Sequence, residues 1–217
     1  IYGVLIAIGM LLGIFFVILE ARRNHEDPDA YLDLAIIILL SGVAGARLLY
    51  AAFSWSLYKN DPGQLLDIRS GGLMFYGGLL GGVLGGVIYC RIRKKSFCQM
   101  ADLACMGLLI GQIIGKWGSF FNRESFGEYA DNIFSMQLPL TAVRAGEVTT
   151  AMRENLQTVV GASWILVQPL FLYESFWCLL VLLMLMMLLR KKVFQGEVFL
   201  RYLACYGLGR AVIQWFR

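Results

Sequence analysis

Residues 165–189 read ILVQPLFLYESFWCLLVLLMLMMLL. The run exceeds the ~20 residues that a helix needs to cross a bilayer, and Glu174 is its only charged residue. Its apolar residues do not alternate with polar ones, as the strands of a membrane barrel do, so the backbone must satisfy itself as a helix. Similar runs lie at Ile1–Leu19, Leu34–Phe53, Gly71–Cys90, Phe97–Phe120 and Val198–Phe216. The last carries Arg201 and Arg210 and is the least apolar. The expected fold class is therefore all-α: a polytopic helical membrane protein of about six transmembrane helices. Residues 1–217 read as one integral membrane domain.

Composition agrees. The chain is 59% hydrophobic and 16% charged, whereas a soluble domain is about half apolar and a quarter charged. The opening run lacks a basic start and an A-x-A site, so it reads as a span and not as a cleaved leader. The net charge of +4 is modest, and no cluster of Lys and Arg interleaved with aromatics suggests nucleic acid. Cys90, Cys98, Cys105, Cys178 and Cys205 form no CxxC pair and read as free thiols. The only histidine, His25, sits in the charged stretch Glu20–Asp29 and reads as a solvated loop residue. Away from that loop the chain can build neither a Ser-His-Asp triad nor a His-rich metal site.

Short-loop basic residues report orientation. Arg22 and Arg23, then Arg91, Arg93, Lys94 and Lys95, then Arg190, Lys191 and Lys192 follow the first, third and fifth runs. Those loops are expected on the cytoplasmic side, and Ser54–Ser70 and Asn122–Trp164 on the outside. The second of these, residues 122–164, is too polar to span and too long for a turn. It reads as a small external head with some helix near Thr149–Leu156.

Gly77, Gly78, Gly81, Gly82, Gly85 and Gly86 form two ridges on one face of the third span. Close helix packing of the GxxxG kind is the leading reading; a groove for a lipid chain is the alternative. Polar residues gather at the expected outer ends of several spans: Tyr2; Arg69, Gly71, Gly72 and Tyr76; Lys116, Ser119, Asn122, Glu124 and Gly127; Gln168, Tyr173 and Glu174; Tyr206, Arg210 and Gln214. An ionisable group inside a span costs ~2.5–3.5 kcal/mol at the helix centre. Arg47, Lys116, Glu174 and Arg210 therefore need partners or a wet cavity. An ion pair of Glu174 with Arg210 is the purely structural solution. Guanidinium and ammonium near the outer leaflet also suit an anion with fatty tails. Composition thus reaches a phospholipid head-group site, without a reaction.

Four blocks are more specific. Residues 115–127, GKWGSFFNRESFG, resemble the signature G-R-x-G-N-F-x-N-x-E-x-x-G of bacterial prolipoprotein diacylglyceryl transferases. Residues 71–78, GGLMFYGG, resemble that family's GGL-x-[FI]-[HY]-GG block; residues 168–174, QPLFLYE, its P-x-x-LYE block; and residues 206–210, YGLGR, its YG-x-x-R block. Tyr2-Gly3 fits the family's tyrosine at the start of the first span. The resemblance covers essentially the whole chain.

The resemblance implies transfer of the diacylglyceryl group of phosphatidylglycerol to the lipobox cysteine thiol of a prolipoprotein signal peptide, with glycerol phosphate leaving. It implies a multi-pass protein of the bacterial cytoplasmic membrane whose active site faces the outer leaflet among membrane lipids. No metal or organic cofactor is implied, and Tyr76, Lys116, Glu124 and Arg210 are implied as catalytic. Lys116, Ser119, Asn122, Gly127, Tyr2, Tyr206 and Glu174 are implied to bind phosphatidylglycerol. Arg210 would hold the phosphate with help from Lys116, Asn122 and Glu124 would order the pocket or hold Arg210, and Tyr76 would relay the thiol proton. Three positions depart from the pattern: Lys116 replaces the signature arginine, Ser119 the asparagine, and Gln214 an acidic residue. The family carries one more spanning helix beyond the position of Arg217. A catalytically weak or inactive lipid- or lipoprotein-binding paralogue on the same scaffold is the second reading. A small transporter is the third; it should show a repeat or paired broken helices, and the sequence has no repeat.

Overall fold

The computed structural model describes residues 2–55, 59, 63, 71–132, 134–143, 148–159 and 162–215. The expected site neighbour Arg69, most of the Ser54–Ser70 loop and the ends of the first and last runs, Ile1 and Phe216, lie outside the described residues. The protein is mostly helical. In chain order the helices are α1 (Tyr2–Arg23), α2 (Pro28–Phe53), α3 (Phe75–Ile92), α4 (Phe97–Phe121), a short α5 (Thr150–Glu154), α6 (Leu170–Leu189) and α7 (Glu197–Gln214). Among the described residues, α1, α2, α3, α4 and α6 are long and apolar enough to cross a membrane. The sixth expected span, α7, has comparable length but carries Glu197, Arg201 and Arg210.

Two compact units divide the chain: Ile1–Phe16 with Ala104–Arg217, and Val17–Leu103. In the second unit, α2 opens on Asp27, whose carboxylate accepts from Asp29 N at 3.1 Å, with Pro28 in the first turn. An acidic cap and a proline there satisfy and preset a helix start. His25, just before it, is exposed with a left-handed φ of 57°, as expected of a loop residue. The charged ends of the helices pair: Arg93 with Asp33 at 2.9 Å and Lys95 with Asp27 at 3.5 Å. Tyr89 Oη donates to Ala30 O at 3.1 Å.

The glycine ridges of α3 pack against α2. A Cβ at Gly77 would lie 2.6 Å from Leu49 Cβ, and one at Gly85 would lie 2.6 Å from Ser41 Cβ. Gly81 faces Gly45 and Ser41, while Gly78, Gly82 and Gly86 face Ala46, Ile38 and Phe97. The packing reading therefore holds for the ridge of Gly77, Gly81 and Gly85, where the approach to α2 needs the missing side chains, while a Cβ at Gly78 or Gly82 would make only ordinary contact. Arg47 is buried and donates to the carbonyl oxygens of Gly71 and, at 3.0 Å, Gly72. An intramembrane guanidinium is thereby satisfied by backbone acceptors.

In the first unit, the segment between α4 and α6 contains the expected short helix, α5, capped by Thr149 at Met152 N. It also contains a sheet that the sequence reading did not foresee. Strands β1 (Met136–Pro139), β2 (Gln157–Val159) and β3 (Ala162–Val167) lie in the order β1-β3-β2, all antiparallel, with Leu138 opposite Ile165 and Gln157 opposite Trp164. Leu138, Met152, Ile165 and Val167 form its core. The fifth span therefore starts at Leu170, not at Ile165 as the apolar run suggested. Pro169 lacks an N–H and sits at the helix cap, so the run divides there into a buried strand and a helix.

Candidate active site

The C-terminal half of α4 is fixed to the start of α6 by aromatic contacts. Phe171 packs on Phe120 at 4.7 Å and on Trp117 at 5.6 Å between ring centroids. One turn further, Ser175 Oγ donates to Ile113 O at 3.3 Å. Helix α7 is fixed to α6 by Trp177, whose indole N–H donates to Cys205 O at 3.0 Å. Gln112 of α4 donates to Tyr202 of α7 at 2.9 Å. Tyr202 in turn stacks on Tyr206 at 5.8 Å.

These contacts bring Lys116, Glu174 and Arg210 together from three helices. The Glu174 carboxylate pairs with Lys116 through Oε2 and with Arg210 through Oε1. Glu174 is buried, with 9% of its side chain exposed, against 21% for Lys116 and 46% for Arg210. Burying one carboxylate between two cations avoids the cost of an unpaired charge in an apolar setting. The cations keep their more open sides for another group, because guanidinium has further N–H donors on its fork and ammonium has three. Tyr206, Trp177, Cys178, Gly209 and Ile213 complete the walls of the cleft around these three residues.

Other residues singled out in the sequence lie as follows. Tyr2 packs its ring against Gly118, where a Cβ would come within 3.1 Å of Tyr2 Cδ2. Ser119 is half-buried, and its carbonyl accepts from Glu124 N at 3.0 Å. Asn122 is exposed and its amide donates to Glu124 Oε1 at 2.7 Å. Gly127 is buried, and its N–H donates to Gln168 O at 2.9 Å, tying the chain after α4 to the chain before α6. Tyr76 belongs to the other unit, in the first turn of α3, and is 69% exposed. The carboxylate that meets Arg210 is Glu174, the pair raised from the sequence as the structural solution.

Sequence reasoning missed Trp177 and Cys178 as cleft residues. The signal was present: they stand three and four positions after Glu174, on the same helix face. Among the described residues, no group of three or more His, Cys, Asp or Glu is gathered in a way that could hold a metal ion.

A sequence model of prolipoprotein diacylglyceryl transferases matches residues 1–217. The chain belongs to the prolipoprotein diacylglyceryl transferase family. Among its relatives, a phosphatidylglycerol–prolipoprotein diacylglyceryl transferase of Bacillus licheniformis is 34% identical, covering 100% of this chain and 76% of its own length. Proteins of the same name from Listeria monocytogenes and Clostridioides difficile are 36% and 34% identical, covering 100% of this chain and 74% and 77% of theirs. Membership makes this chain a lipoprotein-modifying transferase and a multi-pass membrane protein. It favours the enzyme over the binding paralogue and over the transporter.

Proposed function

We propose that this transferase moves the diacylglyceryl group of phosphatidylglycerol to the lipobox cysteine thiol of lipoprotein precursors, at the outer leaflet of the bacterial cytoplasmic membrane. The observation that carries the reading is the pair of cations, Lys116 and Arg210, converging on one buried carboxylate in a cleft of apolar helices. The bias of Arg and Lys to the loops after α1, α3 and α6 supports the orientation.

The reaction makes one bond and breaks one. The cysteine sulfur attacks the glyceryl carbon that bears the phosphate, and an S–C bond forms. The C–O bond breaks, its electron pair passes to the phosphate oxygen, and glycerol phosphate departs. The thiol proton is lost to solvent. Phosphate charge rises from one toward two as the C–O bond breaks. Lys116 and Arg210 would stabilise that developing charge, which is where preorganised cations contribute most to rate. A cationic cleft also favours the thiolate of the incoming cysteine. Asn122 and Glu124, already bonded to one another, would order the head group, with Tyr2, Ser119, Gly127, Glu174 and Tyr206 completing the pocket.

The test is direct. Purified protein in phosphatidylglycerol nanodiscs is incubated with a lipobox peptide, and the peptide is weighed by mass spectrometry. A thioether-linked diacylglycerol on the cysteine, absent from a Cys-to-Ser peptide, is the expected product. An unmodified peptide with intact phosphatidylglycerol would overturn the proposal.

A further inference from the structure

Among the described residues lining the cleft, Lys116, Glu174 and Arg210 are the charged ones, while Trp177, Cys178, Tyr206 and Ile213 add none. Two cations and one carboxylate leave the empty cleft with one net positive charge. Glu174 is the most buried of the three, and both its oxygens are engaged by the cations. It therefore stays in place as a fixed anion, while the more exposed Lys116 and Arg210 offer their remaining donors outward.

We propose that Glu174 is a specificity-determining residue, which sets the cleft charge so that a singly charged phosphodiester is accepted and a doubly charged phosphomonoester is rejected. The inference rests on the proposed function for the identity of the diester. A phosphodiester carries one charge and brings the cleft to neutrality. A phosphomonoester carries a charge between about 1.5 and 2 near pH 7, and in this cleft it leaves an excess of negative charge beside the buried carboxylate of Glu174. The excess is costly because the second charge must also be taken out of water, and the one net positive charge of the cleft does not return that desolvation penalty.

Two consequences follow from one carboxylate. Membrane lipids whose head group is a bare phosphate monoester compete poorly with phosphatidylglycerol. The finished product, glycerol phosphate, is itself a monoester, so the cleft retains what is left of the substrate less well than the substrate itself. Glu174 thereby trades some stabilisation of the developing dianion for release of the completed one. It acts through the two cations and the field of the cleft rather than by contact with the reacting atoms.

The experiment uses two water-soluble probes of matched chemistry: glycerophosphoglycerol, a diester, and glycerol phosphate, a monoester. Each is titrated calorimetrically into the full chain in nanodiscs of uncharged lipid, at equal ionic strength. The native protein is expected to bind the diester more tightly. Equal or tighter binding of the monoester overturns the proposal, whatever becomes of any variant. In Glu174→Gln the preference is expected to move toward the monoester by at least about tenfold, the size of one unscreened charge interaction at a partly buried site. Glu174→Asp keeps the charge and should keep the native preference. A residue that only held the helices together would weaken both probes alike in Glu174→Gln, and that result also overturns the proposal. Binding is read without turnover, so the outcome is independent of whether the transfer assay succeeds.

Discussion

Gly209→Ala is the perturbation that most directly separates this structure from a reading of its sequence. Gly209 precedes Arg210 in α7 and lies under Trp177 of α6. A Cβ there would meet Trp177 Nε1 and Cδ1 and approach Cε2 at 2.5 Å, closer than a real methyl group comes to a ring. The indole must move, and its hydrogen bond to Cys205 O, now 3.0 Å, must lengthen or break. Overpacking of this kind costs ~1–3 kcal/mol, and the lost hydrogen bond adds ~0.5–1.5 kcal/mol. The sum is about 1.5–4.5 kcal/mol at the contact between α6 and α7, the helices that present Glu174 and Arg210 to one another. A displacement of about 1 Å at reacting groups costs on the order of a hundredfold in rate. Transfer by Gly209→Ala is therefore expected to fall about a hundredfold, with earlier thermal unfolding in nanodiscs. The same change in a Trp177→Phe background should cost much less, because the smaller ring leaves space for the methyl group. That coupling is measured by a double-mutant cycle. Native stability and native transfer in Gly209→Ala would refute the reasoning, as would an equal loss in the Trp177→Phe background.

Three further outcomes are expected. Arg210→Ala should abolish measurable transfer while the protein still inserts, and Arg210→Lys should recover part of it, since charge returns without the planar fork; near-native turnover by the alanine variant removes Arg210 from the mechanism. Lys116→Arg with Ser119→Asn should raise transfer above the native chain by more than the single changes combined, with each regained charge-assisted hydrogen bond contributing ~1.5–3 kcal/mol; an unaltered or slower double variant means the pocket is built around lysine and serine. Gly77→Val should destabilise the protein by about 3 kcal/mol, because its side chain would enter the Leu49 and Gly45 contact on α2; an unchanged unfolding midpoint contradicts the packing described for these two helices.

Much of the helical framework was legible in the chain because lipid is a demanding solvent. A run such as Leu34–Phe53 admits few backbone solutions without water, so composition and length suffice. The glycine ridges were legible for a related reason, since a period of four on a helix announces a close neighbour. The neighbour itself, α2 with Gly45 and Ser41, was not announced. The strand at Ala162–Val167 was illegible because a buried strand and a buried helix segment are both continuous apolar runs. Only pairing with Met136–Pro139, far away in sequence, decides between them.

The site divides along the same line. Lys116, Glu174 and Arg210 could be singled out from the sequence alone, because a charge inside an apolar run is expensive and must be answered by something. Their ordered motifs carried the family. That one carboxylate answers both cations is a tertiary fact. It follows from Phe171 packed on Phe120, Ser175 bonded to Ile113 and Trp177 bonded to Cys205, contacts between residues distant along the chain. Periodicity fixes which face of a helix a residue occupies; the packing between helices alone determines what that face meets.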